Sequence, residues 1–158
     1  MSQIDLENNN FSVLPNINKK EPDGLKPDGT PYNVLIADDS IFVLKLLKQF
    51  LTSEGYNVVD TAADGEETIE KFQKYINKID LVTLDITMPK IDGITALKKI
   101  LSIKPDVCII MISAIGREDL VKEALTIGAK NYIVKPLNRE KVLSRIKQTL
   151  DRVFGVTK

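Results

Sequence analysis

The sequence predicts an α/β protein, a parallel sheet with helices packed on both faces. Five short apolar runs alternate with five amphipathic segments between Asn33 and Phe154. The runs are continuously apolar, as expected of strands buried on both faces. Parallel strands need right-handed crossovers, and an amphipathic segment stands in each gap to supply one.

Taken in order, Val34-Leu35-Ile36-Ala37 is the first strand and ends in Asp38-Asp39-Ser40. A helix follows, with Val43, Leu46, Leu47, Phe50 and Leu51 at the spacing of one face, and Gly55 ends it. Val58-Val59 with neighbours makes the second strand. Asp64-Gly65 opens the second helix, with Asp64 as N-cap, Glu66 and Glu67 in its first turn, and Ile69, Phe72 and Ile76 facing inward. Leu81 to Leu84 is the third strand, which runs out on Asp85. Asp92-Gly93 starts a helix with Ile94, Leu97 and Leu101 inside. Val107 to Ile112 is the fourth strand, ending on Ser113, and Arg117 to Ile127 is a helix closed by Gly128. Asn131 to Val134 is the fifth strand, followed by Lys135-Pro136. Asn138 caps a last helix with Val142, Ile146, Leu150 and Val153 inside.

Residues 32–156 thus read as one globular domain. Residues 1–31 are rich in Asn, Asp, Gly and Pro, with turn signals at Pro22-Asp23-Gly24 and Pro27-Asp28-Gly29. That composition predicts a flexible N-terminal extension. Its small apolar cluster, Phe11, Val13, Leu14 and Ile17, has the make-up of a short docking motif.

Composition excludes several functions. Lys+Arg 22 against Asp+Glu 22 leaves no net charge, so no global field draws the chain to nucleic acid or anionic membrane. The longest apolar run falls far short of the roughly 18 residues of a membrane span. The N-terminus MSQIDLENNN has no basic or apolar signal region, and the expected location is the cytoplasm. Cys108, the single cysteine, lies in an apolar strand and reads as a small core residue. With no histidine present, Ser-His-Asp and Cys-His catalysis, histidine-bound zinc and histidine phosphorylation within this chain are all ruled out.

Ligands of an open parallel sheet bind outside the carboxyl ends of its strands. Those ends carry Asp38, Asp39, Asp85, Ser113 and Lys135. Three close carboxylates raise one another's pKa, and a hard divalent cation relieves the repulsion. Mg²⁺ suits oxygen ligands and keeps waters that a phosphoryl group can displace. Lys135 would neutralise the phosphoryl oxygens, Ser113 would hydrogen-bond one of them, and Asp85 would be the nucleophile that forms an aspartyl phosphate. Positioning and charge neutralisation suffice for such a transfer.

The stretches NVLIADDS, LVTLDITMPKIDG, CIIMISA and NYIVKP resemble the receiver domain of bacterial two-component response regulators, most closely the stand-alone CheY-like kind. The resemblance implies a flavodoxin-like (βα)5 fold with strand order 2-1-3-4-5. It also implies Asp85 as phosphoacceptor and Asp39, Asp85 and the Thr87 backbone carbonyl as Mg²⁺ ligands, with Asp38 reaching the metal through water. Ser113 and Lys135 match the switch hydroxyl and the phosphate-binding lysine, and a cis Lys135-Pro136 bond is expected. Tyr132 matches the aromatic switch, whose ring follows the hydroxyl inward and repacks the surface of the fourth helix, fifth strand and fifth helix. Three departures stand out: Ser113 replaces threonine, Leu137 replaces phenylalanine, and Ile86 and Ile115 place apolar groups beside the site, where they would restrict the attacking water.

The implied function is a single-domain response regulator, with chemotaxis and control of the flagellar motor as the expected pathway. A sensor histidine kinase, CheA-like kinases included, would phosphorylate it, and a target such as a flagellar switch protein would read it. The alternative is a phosphorelay carrier that passes the group to a histidine-phosphotransfer protein. Catalysis is expected to stop at the domain's own phosphorylation and dephosphorylation. Neither DNA nor membrane is an expected partner, and the expected state is a monomer or a weak phosphorylation-dependent dimer. An aspartate-nucleophile phosphatase would want an acid at Thr87, and a dinucleotide binder would want a G-x-G that this chain lacks.

Overall fold

The computed structural model describes residues 21–155. The docking motif read at Phe11 to Ile17 lies outside them. Strands β1 (Asn33–Ala37), β2 (Asn57–Ala62), β3 (Leu81–Asp85), β4 (Cys108–Ser113) and β5 (Asn131–Val134) alternate with helices α1 (Ile41–Ser53), α2 (Gly65–Lys74), α3 (Gly93–Ile103), α4 (Glu118–Ile127) and α5 (Arg139–Val153). All pairings are parallel, in the order β2-β1-β3-β4-β5. The fold class and the strand order both agree with expectation.

The sheet divides two apolar cores. Leu35, Val82, Leu84, Ile109 and Met111 pack with Phe72, Leu97 and Ile100 on the α2–α3–α4 side. Val34, Ile36, Ile110 and Ile112 pack with Leu47, Leu51, Val142, Ile146 and Leu150 under α1 and α5. Successive strand residues point to opposite faces, so each apolar run supplies both cores in turn. Cys108 is buried in the second, as its context predicts.

Helix starts follow local chemistry. Asp64, Asp92 and Asn138 each accept a backbone N–H three residues on, from Glu67 (2.8 Å), Thr95 (2.8 Å) and Lys141 (3.0 Å). Asp64 also pairs with Lys90 Nζ at 3.5 Å. Asp64→Ala is expected to cost about 1 kcal/mol of folding free energy, read as a lower urea midpoint with unchanged m-value. α2 stops at Lys74, so Ile76, expected on its inner face, packs from the following turn instead.

The stretch from Glu21 to Pro31 departs from the expected flexible extension. Lys26 N–H donates to Thr30 O (2.8 Å), Gly29 N–H to Lys26 O (2.9 Å), and Leu25 bridges Pro31 in antiparallel fashion. This loop is fastened to the end of α1, where Gly24 N–H donates to Glu54 O (2.7 Å) and Asp23 N–H to Glu54 Oε1 (3.1 Å). Lys26 Nζ lies 3.3 Å from Asp80 Oδ2. Composition measured only how little apolar surface the stretch can bury; backbone hydrogen bonds and an ion pair anchor it instead.

Candidate functional site: a carboxylate cluster at the strand ends

Asp38 follows β1 directly, and its N–H donates to Ala62 O at 3.0 Å, which extends the strand line by one residue. Its side chain is fully buried. Oδ1 accepts the Ser40 N–H at 2.9 Å, and Oδ2 stands 3.1 Å from Lys135 Nζ, close enough for charge pairing but without the direction of a hydrogen bond. Asp39 is exposed beside it. Asp85, the last residue of β3, is 5% exposed. Its Oδ1 accepts the Thr87 N–H at 3.2 Å and its Oδ2 lies 3.5 Å from Lys135 Nζ. Carboxylate oxygens of Asp38, Asp39 and Asp85 lie within 4.8 Å of one another.

The electrostatics follow from that crowding. Burial, and then the charge on Asp38, push the Asp85 carboxyl up to about 7, while Lys135 and the Thr87 N–H pull it back and Asp39 adds to the rise. Burial works to lower the Lys135 ammonium, but Asp85 and Asp38 outweigh it and the group is raised. Two buried acids thus share one lysine, and Asp39 adds a third negative charge. The donors are all hard oxygens, and a buried Asp38 oxygen has no directed hydrogen bond. The set fits Mg²⁺, to which Asp38, Asp39, Asp85 and the Thr87 carbonyl would contribute.

Ser113 ends β4, next to the strand of Asp85, and is 1% exposed. Its Oγ donates to Ala114 O at 2.9 Å. Lys135 is tied to the same strand end by its N–H, which donates to Ser113 O at 2.7 Å, and the Lys135-Pro136 bond is cis. Tyr132 is half-buried on β5. It shares with Ser113 a cavity of about 270 Å³ that Val121, Leu125 and Val134 also line. Asp38, Asp39, Asp85 and Lys135 are therefore brought together directly, with Ser113 at the adjoining strand end. Tyr132 lies one layer away, joined to Ser113 through the cavity.

Two expectations need revision. Ile86 is buried in the core, because the residue after Asp85 points to the other side of the strand, so it does not rim the site. Ile115, the other apolar residue expected beside it, is 74% exposed. Gly93 does more than start a helix: its N–H donates to Ile86 O at 2.8 Å, and an added Cβ would collide with the carbonyl oxygen of Asp85. The Asp-Gly pair was the available signal, since a glycine there answers backbone proximity as well as a turn.

Comparison with known proteins agrees with this geometry. The response regulator receiver domain model matches residues 34–147. The chemotaxis protein CheY of Treponema pallidum is 58% identical over 137 residues, covering 87% of this chain and 95% of that protein. The chemotaxis protein CheY of Bacillus subtilis is 43% identical over 120 residues, 76% of this chain and 98% of that protein. A chain of the CheX-CheY-BeF3-Mg²⁺ complex from Borrelia burgdorferi superposes with a TM-score of 0.78 at 54% identity, covering 85% of this chain and 98% of its own length. Sheet order, acid cluster and sequence lead to one conclusion: the chain belongs to the response regulator receiver domain family, and its receiver domain is closely related to CheY.

Proposed function

We propose that the chain is a chemotaxis response regulator that takes a phosphoryl group onto Asp85 and presents an altered α4–β5–α5 surface to a protein target. The observation that carries this is the arrangement of Asp38, Asp39 and Asp85 within 4.8 Å, with Lys135 set against both buried acids. When bound, Mg²⁺ would supply charge neutralisation for the incoming phosphoryl oxygens.

Asp85 supplies the attacking oxygen. A bond forms from its carboxylate to phosphorus as the donor's bond to the same phosphorus breaks, and the leaving group departs with that electron pair. The donor is a phosphohistidine on a sensor kinase or a small acyl phosphate. Lys135 pairs with the phosphoryl oxygens in place of an Asp85 oxygen, and the Ser113 hydroxyl turns from Ala114 O to donate to one of them. That movement empties part of the cavity shared with Tyr132, and the tyrosine ring moves to fill it.

The curated relatives reported above are chemotaxis proteins, which favours this output role over that of a phosphorelay carrier. Residues 32–156 form the receiver domain in this reading, and the partners are a sensor histidine kinase and a downstream protein target. Acetyl phosphate with Mg²⁺ is expected to add one phosphoryl group per chain by intact-mass measurement, and none when a chelator replaces the metal. Labelling that is indifferent to Mg²⁺ would overturn the site assignment.

A further inference from the structure

β5 is an edge strand, and among the described residues no strand lies along its outer side. Two arginines of α5 reach across to that edge. Arg152 Nη2 donates to Lys130 O at 2.7 Å and does no more there. Arg145 goes further. Its Nη1 donates to Tyr132 O at 3.1 Å and to Asn131 Oδ1 at 3.4 Å, and its guanidinium carbon stands 5.3 Å from the centre of the Tyr132 ring. Asn131 completes the clamp: Oδ1 accepts the Tyr132 N–H at 2.8 Å, and Nδ2 donates to Thr149 Oγ1 at 2.9 Å. Thr149, buried on α5, donates in turn to Arg145 O at 2.6 Å. Backbone, amide and ring of the Tyr132 segment are thus all held from one helix.

We infer that Arg145 is a positioning residue for Tyr132: it holds the ring in its resting place by a cation–π contact and ties the backbone carbonyl of the same residue to α5. The inference rests on the reading of Tyr132 as the ring that moves on phosphorylation. A group that stabilises only the resting arrangement opposes the phosphorylated one by the same free energy, through thermodynamic linkage. Arg145 therefore sets how much occupancy at Asp85 is needed to release the ring. The same contact places α5 in direct register with the ring's position, so the helix surface offered to a target changes when the ring leaves.

The test is fluorine NMR of the full chain labelled with fluorotyrosine, which places one probe in each of Tyr32, Tyr56, Tyr75 and Tyr132. Tyr132→Phe assigns the line of interest, and beryllofluoride with Mg²⁺ stands in for the phosphoryl group. In the parent, beryllofluoride is expected to move the Tyr132 line. In Arg145→Met the resting line should already lie displaced toward that position, and the half-saturating beryllofluoride concentration should fall about two- to fivefold, the range that a surface cation–π contact supports. Arg145→Lys keeps a cation near the ring and should stay closer to the parent. Arg152→Met removes an equivalent edge contact and should leave the Tyr132 line where it is. A Tyr132 line and titration in Arg145→Met that coincide with the parent's would overturn the inference alone. So would an equal displacement in Arg152→Met, which would make the effect a general loosening of α5. A parent that binds beryllofluoride without moving the Tyr132 line overturns the switch role of Tyr132 and the inference with it. Failure of the parent to bind beryllofluoride overturns the Asp85 reading beneath both.

Discussion

Replacing Asp85 with asparagine is expected to abolish phosphoryl uptake and, in metal-free buffer at pH 8, to make the protein more stable. The first effect follows from the role proposed for Asp85, because an amide cannot supply the attacking carboxylate oxygen. The second follows from where the carboxyl sits. Burial and the neighbouring Asp38 charge hold it near 7 in the folded protein, against an ordinary value of 3.8. The folded state binds this proton more tightly than the unfolded chain does. The stability tied to the bound proton is therefore fully present below about pH 4 and is lost as pH rises through about 7. Asparagine carries no such loss. The variant should exceed the parent by roughly 2 kcal/mol at pH 8, with the gap closing toward pH 4. Urea unfolding at several pH values measures it. Mg²⁺ should raise the parent's midpoint and leave the variant's much less changed, because a ligand stabilises only the state that binds it. A parent and variant with parallel pH profiles would show that Asp85 is not a strained acid. Labelling that survives in the variant would show that it is not the phosphoacceptor.

Gly93→Ala is expected to damage fold and site together. A Cβ at this position would collide with the carbonyl oxygen of Asp85 and come within 2.7 Å of Ile86 Cα and 2.8 Å of Ile86 O. All three are backbone atoms, so no side chain can swing aside to make room. The start of α3 would have to move away from the end of β3, and the Gly93 N–H bond to Ile86 O would stretch or break. The expected cost is about 3 kcal/mol, seen as a thermal midpoint lower by roughly 10 °C. Phosphorylation by acetyl phosphate should also slow, since the displaced backbone carries Asp85 and Thr87. Gly116→Ala is the contrast. Its φ of 90° strains any other residue, but nothing lies within 4 Å of the added carbon, and the cost should stay near 1 kcal/mol. Equal losses at the two positions would mean that backbone conformation, rather than contact with the Asp85 strand, sets the requirement for glycine.

Much of this was legible in the chain itself. The apolar runs ending in Asp38, Asp85 and Ser113 are local patterns, and the strands emerged in the expected order. Once the strands were placed, the rule that parallel sheets gather their chemistry at the carboxyl ends collected Asp38, Asp39, Asp85, Ser113 and Lys135 without coordinates. Asp64, Asp92 and Asn138 were readable as caps because a cap acts within three residues of itself. Periodicity overruns the end of α2, since Ile76 keeps the spacing of the helix while the backbone has already turned.

What the sequence by itself determined is the order of elements, the two faces of the sheet and the kinds of groups at its edge, because periodicity and caps are local properties. Only the tertiary structure decided the separations among the carboxylates, the sharing of one lysine by two buried acids, and the hold of Glu54 on Gly24. The same holds for the backbone contact that reserves position 93 for glycine and for the clamp of Arg145 on Tyr132. Each of these joins residues brought together by strand order and helix angle, and a difference of an ångström decides whether the contact is a hydrogen bond, an ion pair or a collision. Asp85 shows the division most clearly. The sequence placed a carboxylate at the end of a buried strand; burial, then the charges of Asp38 and Asp39, made that carboxylate reluctant to ionise, with Lys135 pulling the other way.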